Sequence, residues 1–274
     1  MKNQYLTLVK SEFWEHRSLW MAPASAAAFM LVTAIGGILF APGNVRFGAM
    51  SMSGDVERGV PLVSDKLMLV TTIGMASVII IAACVTAAVY LLDCLYAERK
   101  DRSILFWKSL PVSDRDSVLV KFGVAMIAVP AGVFVLQLVT NLLLTGLVAM
   151  ASRGSPPWLA MWHFSDWLAA QAQFAGIIAV TLLWYAPVAA WFMLASVFAG
   201  RAPLMFAVLP WVILTISERL VLGTTVVWHF AAGRLMPTPD PLGRLASPGL
   251  WIGLAAAAGM LYMVIRLRRY RDDT

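Results

Sequence analysis

Charge is what this sequence has least of. Only 13% of its 274 residues are Asp, Glu, Lys or Arg, about half the share of a soluble domain. The shortfall falls in blocks: residues 18–45, 67–92, 122–152, 167–200, 202–217 and 245–265 contain no charged residue. Chemistry-bearing motifs are equally scarce. There is no GxxxxGK[ST] phosphate loop, which excludes nucleotide hydrolysis by the chain itself, and no HExxH or GxSxG motif. The three histidines, His16, His163 and His229, fall in separate segments, so no single metal site is expected from them. Cys84 and Cys94 lie on one predicted helix, about 15 Å apart in rise, too far to bridge. No disulfide framework or CxxC site follows.

What the sequence has is apolar length. Sixty per cent of the residues are hydrophobic, and a helix crosses the hydrocarbon of a bilayer in about 20 residues. Five of the blocks reach that length alone; the short fifth one, 202–217, reaches it when 220–230 extends it. The expected architecture is all-α: a polytopic bundle of six transmembrane helices over about 18–41, 67–92, 121–151, 171–198, 203–223 and 249–267. Residues 2–20 read as an amphipathic helix, with Tyr5, Leu8, Val9, Phe13 and Trp20 on one face and Lys2, Lys10, Glu12 and Glu15 elsewhere. It fits an interfacial anchor, a reading preferred over an element that also touches a cytoplasmic partner. Glu12, Glu15 and the length of the first apolar block argue against a cleaved signal peptide.

Basic residues set the expected orientation. With the N-terminus inside, fourteen fall on the inner side and seven on the outer, so both termini are expected in the cytoplasm of a cell with this chain in its inner (plasma) membrane. The net charge of +6 is then a topology signal and a match to anionic headgroups, and calls for no nucleic acid. Trp158, Trp162 and Trp167 fit an outer aromatic belt. The stretch 220–236 reads as a short helix on or dipping into the outer leaflet.

Inside the predicted spans, ionisable residues are nearly absent, which argues against an ion-coupled carrier. Asp93 sits at one span's inner end and Glu218–Arg219 near another's outer end. Gln137 and Asn141, four apart, read as interhelical hydrogen-bonding groups or the lining of a path. Pro130, Pro187 and Pro210 each remove a helix donor and predict kinks. Gly249, Gly253 and Ala257 recur every fourth residue and permit close helix contact.

The exception to the charge deficit is "YAERKDRSILFWKSLPVSDRD", residues 96–116. It carries five basic and four acidic side chains around the apolar knot "ILFW". A lipid-binding patch is basic throughout; a near-balanced one suits a protein surface of mixed charge. Asp101 or Ser103 caps a short predicted helix over 104–110, which Pro111 stops. Ser113 with Asp116 resembles a capping box for the next helix. Two readings remain on residues alone: Phe106 and Trp107 as inner headgroup-belt residues, or as anchors of a docking site.

The run "LYAERKDRSILFWKSLPVSDRDSVLVKF", residues 95–122, resembles the cytoplasmic segment between the second and third helices of ABC-2-type transporter permeases. The rest of the chain agrees with that family in layout. The resemblance implies an ABC-2, type V exporter-like fold in which 93–120 is a cytoplasmic coupling segment. It assigns docking roles to Glu98, Arg102, Ile104, Leu105, Phe106, Trp107, Lys108, Leu110 and Pro111. It implies a separate ABC ATPase subunit that binds ATP and Mg, a second permease subunit in a homodimer, and no catalysis or cofactor in this chain. The expected function is export of an amphiphilic or hydrophobic compound, such as a drug, peptide or lipid-like molecule. The alternatives are a non-transporting sensor or immunity component coupled to an ATPase, an intramembrane enzyme, or a secondary carrier.

Overall fold

The computed structural model describes residues 2–40, 64–101, 113–151, 163–236 and 240–270. Among them every regular element is helical. The elements are α1 (Lys2–Glu15), α2 (Ser18–Phe40), α3 (Ser64–Lys100), α4 (Asp114–Gly123), a π-helical turn (Val124–Ala128), α5 (Val129–Ala151), α6 (Phe164–Phe198), α7 (Pro203–Val221), α8 (Val226–Leu235), a 3-10 turn (Leu242–Ala246) and α9 (Pro248–Tyr270). Among the described residues, six helical segments are long and apolar enough to cross a membrane. Their outward faces carry large apolar side chains, including Phe29, Val85, Val135, Leu214 and Trp251. That is the pattern of a helical membrane bundle, whose surface meets hydrocarbon rather than water.

The helices outrun the charge-free blocks. α3 has 37 residues and α6 has 35, about 55 and 52 Å at the usual rise, against a hydrocarbon core of about 30 Å. Charged residues that flank a block in the sequence therefore continue its helix. Glu98, Arg99 and Lys100 form the last turn of α3, and Lys121 lies within α4. At the other end of the chain, α1 stops at Glu15, and Trp20 belongs to α2.

Two compact units divide the chain. The first comprises residues 1–16, 87–128 and 179–274. Its apolar core includes Ala186, Ala190 and Ala257, with Phe122, Met126, Leu254, Met260 and Leu261 packed around them. Ala257, from the small-residue stripe of α9, thus lies at a close helix contact. A second cluster joins Leu92, Ala195, Ala207 and Phe192. The π turn ends two residues before Pro130. Proline offers no backbone N–H to the preceding turn, and a widened turn is one way a helix continues past it.

The second unit comprises residues 17–86 and 129–178. α2 packs along α5 within it. Its interior is mostly apolar, with a short polar series. Trp167 donates its indole N–H to Asn141 Oδ1 at 2.8 Å, and the Asn141 amide reaches Met75 Sδ at 3.4 Å. Gln171 donates to Thr72 Oγ1 at 3.3 Å. Asn141 therefore bonds between helices, and Trp167, expected in an aromatic belt, is 5% exposed and buried against it. Trp158 and Trp162 lie outside the described residues.

Candidate functional site

Six ionisable or phenolic side chains converge in the first unit, from four helices that are distant in sequence. Lys121 is 1% exposed, Tyr90 2%, Glu12 and Glu98 4% each, and Arg268 5%. Lys121 Nζ bridges two carboxylates: Glu12 Oε1 at 2.5 Å and Glu98 Oε1 at 3.1 Å. The Tyr90 hydroxyl donates to the other Glu12 oxygen at 2.8 Å. On the far side of Glu98, Arg268 Nη2 lies 3.0 Å from Oε2, and Arg268 Nε lies 3.4 Å from Asp114 Oδ1. The Arg268 contacts are close ion pairs without hydrogen-bond alignment at Nε, and Nη1 has no acceptor. The order is Tyr90, Glu12, Lys121, Glu98, Arg268, Asp114, with each carboxylate beside at least one cation.

Local structure explains the placement. Glu12 is on the first helix, where the sequence pattern assigns it to the polar face; the structure turns it inward, because a buried cation awaits it. Edge-on packing of His16 against Tyr90, with ring centres 4.9 Å apart, covers the same spot. Asp114 and Asp116 open α4, where negative charge is favoured by the helix dipole. Arg268 lies in the last turns of α9, where positive charge is favoured. Ser113 is the N-cap of α4: its hydroxyl accepts from Asp116 N at 3.1 Å and donates to Asp116 Oδ2 at 2.7 Å. Asp is one methylene shorter than the usual Glu of a capping box, and here its carboxylate meets the serine hydroxyl instead of the cap N–H. Tyr5 donates to the other Asp116 oxygen at 3.2 Å, which ties α1 to the same turn.

The end of α3 is held a second time. Arg99 Nη2 donates to the carbonyls of Ser196 at 2.6 Å and Ala199 at 3.0 Å, capping the end of α6. The Ser196 hydroxyl accepts from the backbone N–H groups of Leu95 and Tyr96. Residues 199–202 then turn the chain, with Ala202 at a left-handed φ of 48° before Pro203 opens α7.

The described residues on either side of 102–112 are thus fixed to the same unit: those before it through Glu98 and Arg99, those after it through Asp114, Asp116 and Lys121. Arg102, Ile104, Leu105, Phe106, Trp107, Lys108, Leu110 and Pro111 lie outside the described residues, as does the expected helix over 104–110. Glu98, the remaining residue given a docking role by the resemblance, has its carboxylate engaged within the chain. Sequence reasoning missed Glu12, Lys121, Tyr90 and Arg268 as a set. One signal was present: Lys121 follows an N-cap at Ser113 by two helical turns, and a lysine that far into a span-forming helix requires a buried partner.

Glu12, Glu15 and His16 also present ligand atoms within 4.8 Å of one another. Both Glu12 oxygens are already committed, to Lys121 and Tyr90, so the grouping is better described as part of the ion cluster. Chemically the cluster is a latch. Two cations stand among three carboxylates, and moving the helix ends that carry them requires charges to part in a region largely shielded from water. Comparison with protein-family models, with curated proteins and with solved structures finds no match.

Proposed function

We propose that the chain is a permease subunit of an ABC-2-type transporter: a membrane subunit moved by a separate ATPase that docks on residues 96–116. The observation that carries this reading is the anchoring of the residues on both sides of 102–112, Glu98 and Arg99 before it and Asp114 to Lys121 after it. A segment of mixed charge with an aromatic centre is tethered at both ends to buried ion pairs reaching α1, α3, α4 and α9. Force applied to such a segment passes into helices instead of being lost in a loose loop. The chain carries no phosphate loop, so the work of ATP hydrolysis, with its Mg, belongs to the partner. Glu98 in this reading anchors the segment, while Arg102, Ile104, Leu105, Phe106, Trp107, Lys108, Leu110 and Pro111 meet the ATPase. The bundle functions as a pair of identical subunits in a plasma membrane, with both termini cytoplasmic. It exports a compound with apolar and aromatic surface, since its spans offer few fixed charges.

Co-purification tests the proposal. Trp107→Ala and Arg102→Glu together are expected to release an ATP-hydrolysing subunit from the membrane complex while the permease keeps its thermal unfolding midpoint. Retention of that subunit by the double variant contradicts the docking assignment. Vesicles holding the intact complex then separate transport from sensing: ATP-dependent movement of a compound supports export, and ATP turnover without any movement supports a sensor.

A further inference from the structure

We propose that Arg234 and Arg244 form a binding site for an oxyanion, a phosphate or carboxylate group carried by a lipid or by a small soluble acid. The site is independent of the ATPase-docking reading. It lies toward the opposite end of α9 from Arg268, among residues of the first unit on α6, α8, the 3-10 turn and α9.

Both guanidinium groups pack on one indole. Arg234 Cζ lies 4.1 Å and Arg244 Cζ 4.0 Å from the centre of the Trp184 ring. Several further bonds hold this arrangement in place. Trp184 Nε1 donates to the Arg234 carbonyl at 3.0 Å, and the Tyr185 hydroxyl donates to the Leu235 carbonyl at 2.8 Å, fastening the end of α8 to α6. Arg234 Nη1 donates to the Gly249 carbonyl at 3.1 Å, and Arg244 Nη2 to the Met236 carbonyl at 3.3 Å. Gly253 leaves room for the same group: a Cβ there would meet the Arg234 guanidinium, which would have to move aside. The small-residue spacing of α9 thus makes room for a charge at this position.

The charge balance is left open at Arg234. Arg234 has no carboxylate partner among the described residues, and its Nη2 is buried without an acceptor. Burial lowers the Arg234 pKa from its ordinary value, and the nearby Arg244 lowers it further. Two like charges on one ring attract a counter-anion, and the planar guanidinium fork matches phosphate and carboxylate oxygens. The aromatic face stabilises the cations without neutralising them.

The test uses the full chain in nanodiscs of phosphatidylcholine alone. In one arm phosphatidylglycerol replaces part of the lipid; in the other, inorganic phosphate is added to the buffer. Binding to the folded state is expected to raise the unfolding midpoint by on the order of 5 °C in at least one arm. The arm that responds identifies the source of the anion. Arg234→Gln and Arg244→Gln are each expected to weaken the response roughly ten- to hundred-fold in ligand concentration, the size of a charged hydrogen bond. Lys10→Gln and Arg201→Gln, exposed cations elsewhere, leave it unchanged. No midpoint rise in either arm, or an equal rise in the Arg234 and Arg244 variants, overturns the site. Where an arginine variant fails to fold, native mass spectrometry of the unmodified chain replaces it: phosphatidylglycerol or phosphate retained above the phosphatidylcholine background supports the site, and retention at or below that background overturns it.

Discussion

The two units solve the problem of buried polarity in different ways. At its ion cluster the first buries full charges and pairs them: Glu12, Lys121, Glu98 and Arg268 alternate in sign through a water-poor interior. Among the described residues of the second, the buried polar side chains are neutral amides and hydroxyls, and some of their atoms have no partner. Gln137 is 1% exposed, yet among the described residues neither its Oε1 nor its Nε2 has a partner, and Gln171 Oε1 has none. On α5 and α6 these glutamines lie one turn beyond the Asn141–Trp167 bond and one turn before the stacked Phe134 and Phe174 rings, whose centres are 6.3 Å apart. Leaving a neutral amide unpaired costs about 1–3 kcal/mol; stranding a buried charge costs more. The difference teaches where the chain tolerates change. Paired charges fix helix positions strictly, while the amide layer permits replacement.

The contrast breaks most visibly at its centre. Lys121→Met strands Glu12 and Glu98 without their shared cation, and thermal unfolding in mild detergent should show a loss of about 3–5 kcal/mol. Adding Glu12→Gln should recover a substantial part of it. A loss below about 1 kcal/mol for Lys121→Met would mean that the cluster behaves as an exposed salt bridge and that the latch does not exist.

Asn141→Leu removes the acceptor of the Trp167 indole in the second unit and should cost about 2 kcal/mol in the same assay. Gly253→Ala forces the Arg234 guanidinium aside and should cost about 1–2 kcal/mol, as overpacking does; Gly253→Ala in an Arg234→Ala background should be close to neutral. The smallest expected effect is the sharpest on the comparison. Gln137→Leu deletes an amide that has no partner, and its unfolding midpoint should stay level or rise, within about 1 kcal/mol. A loss as large as that of Asn141→Leu would show that Gln137 is bonded after all, and the contrast between the units would fade.

The apolar framework was legible in the sequence because hydropathy and length are local properties. The charge-free blocks mark six helical segments, and the cap at Ser113 is visible in its own four residues. The ion cluster was not legible, for a physical reason. Lys121 and Glu12 are 109 positions apart, and no spacing rule connects them. In the sequence Lys121 and Arg268 count only as inner-side basic residues, while Glu12 sits on the polar side of an amphipathic pattern. What reveals their role is the length of α3 and α4, which carries flanking charges into the packed interior. Trp167 illustrates the same limit: its spacing fits a belt, and its partner Asn141 lies 26 residues away. Arg234 and Gly253 are a third case, since small residues on a helix signal close packing without saying what packs there.

The most direct test of the account is a photo-crosslinking amino acid placed at Trp107 in the full chain, in its native membrane. The coupling assignment predicts a covalent adduct with a nucleotide-binding ATPase subunit, formed in high yield and lost when Arg102→Glu is introduced. Adducts formed only with lipid or with the chain's own helices would contradict it.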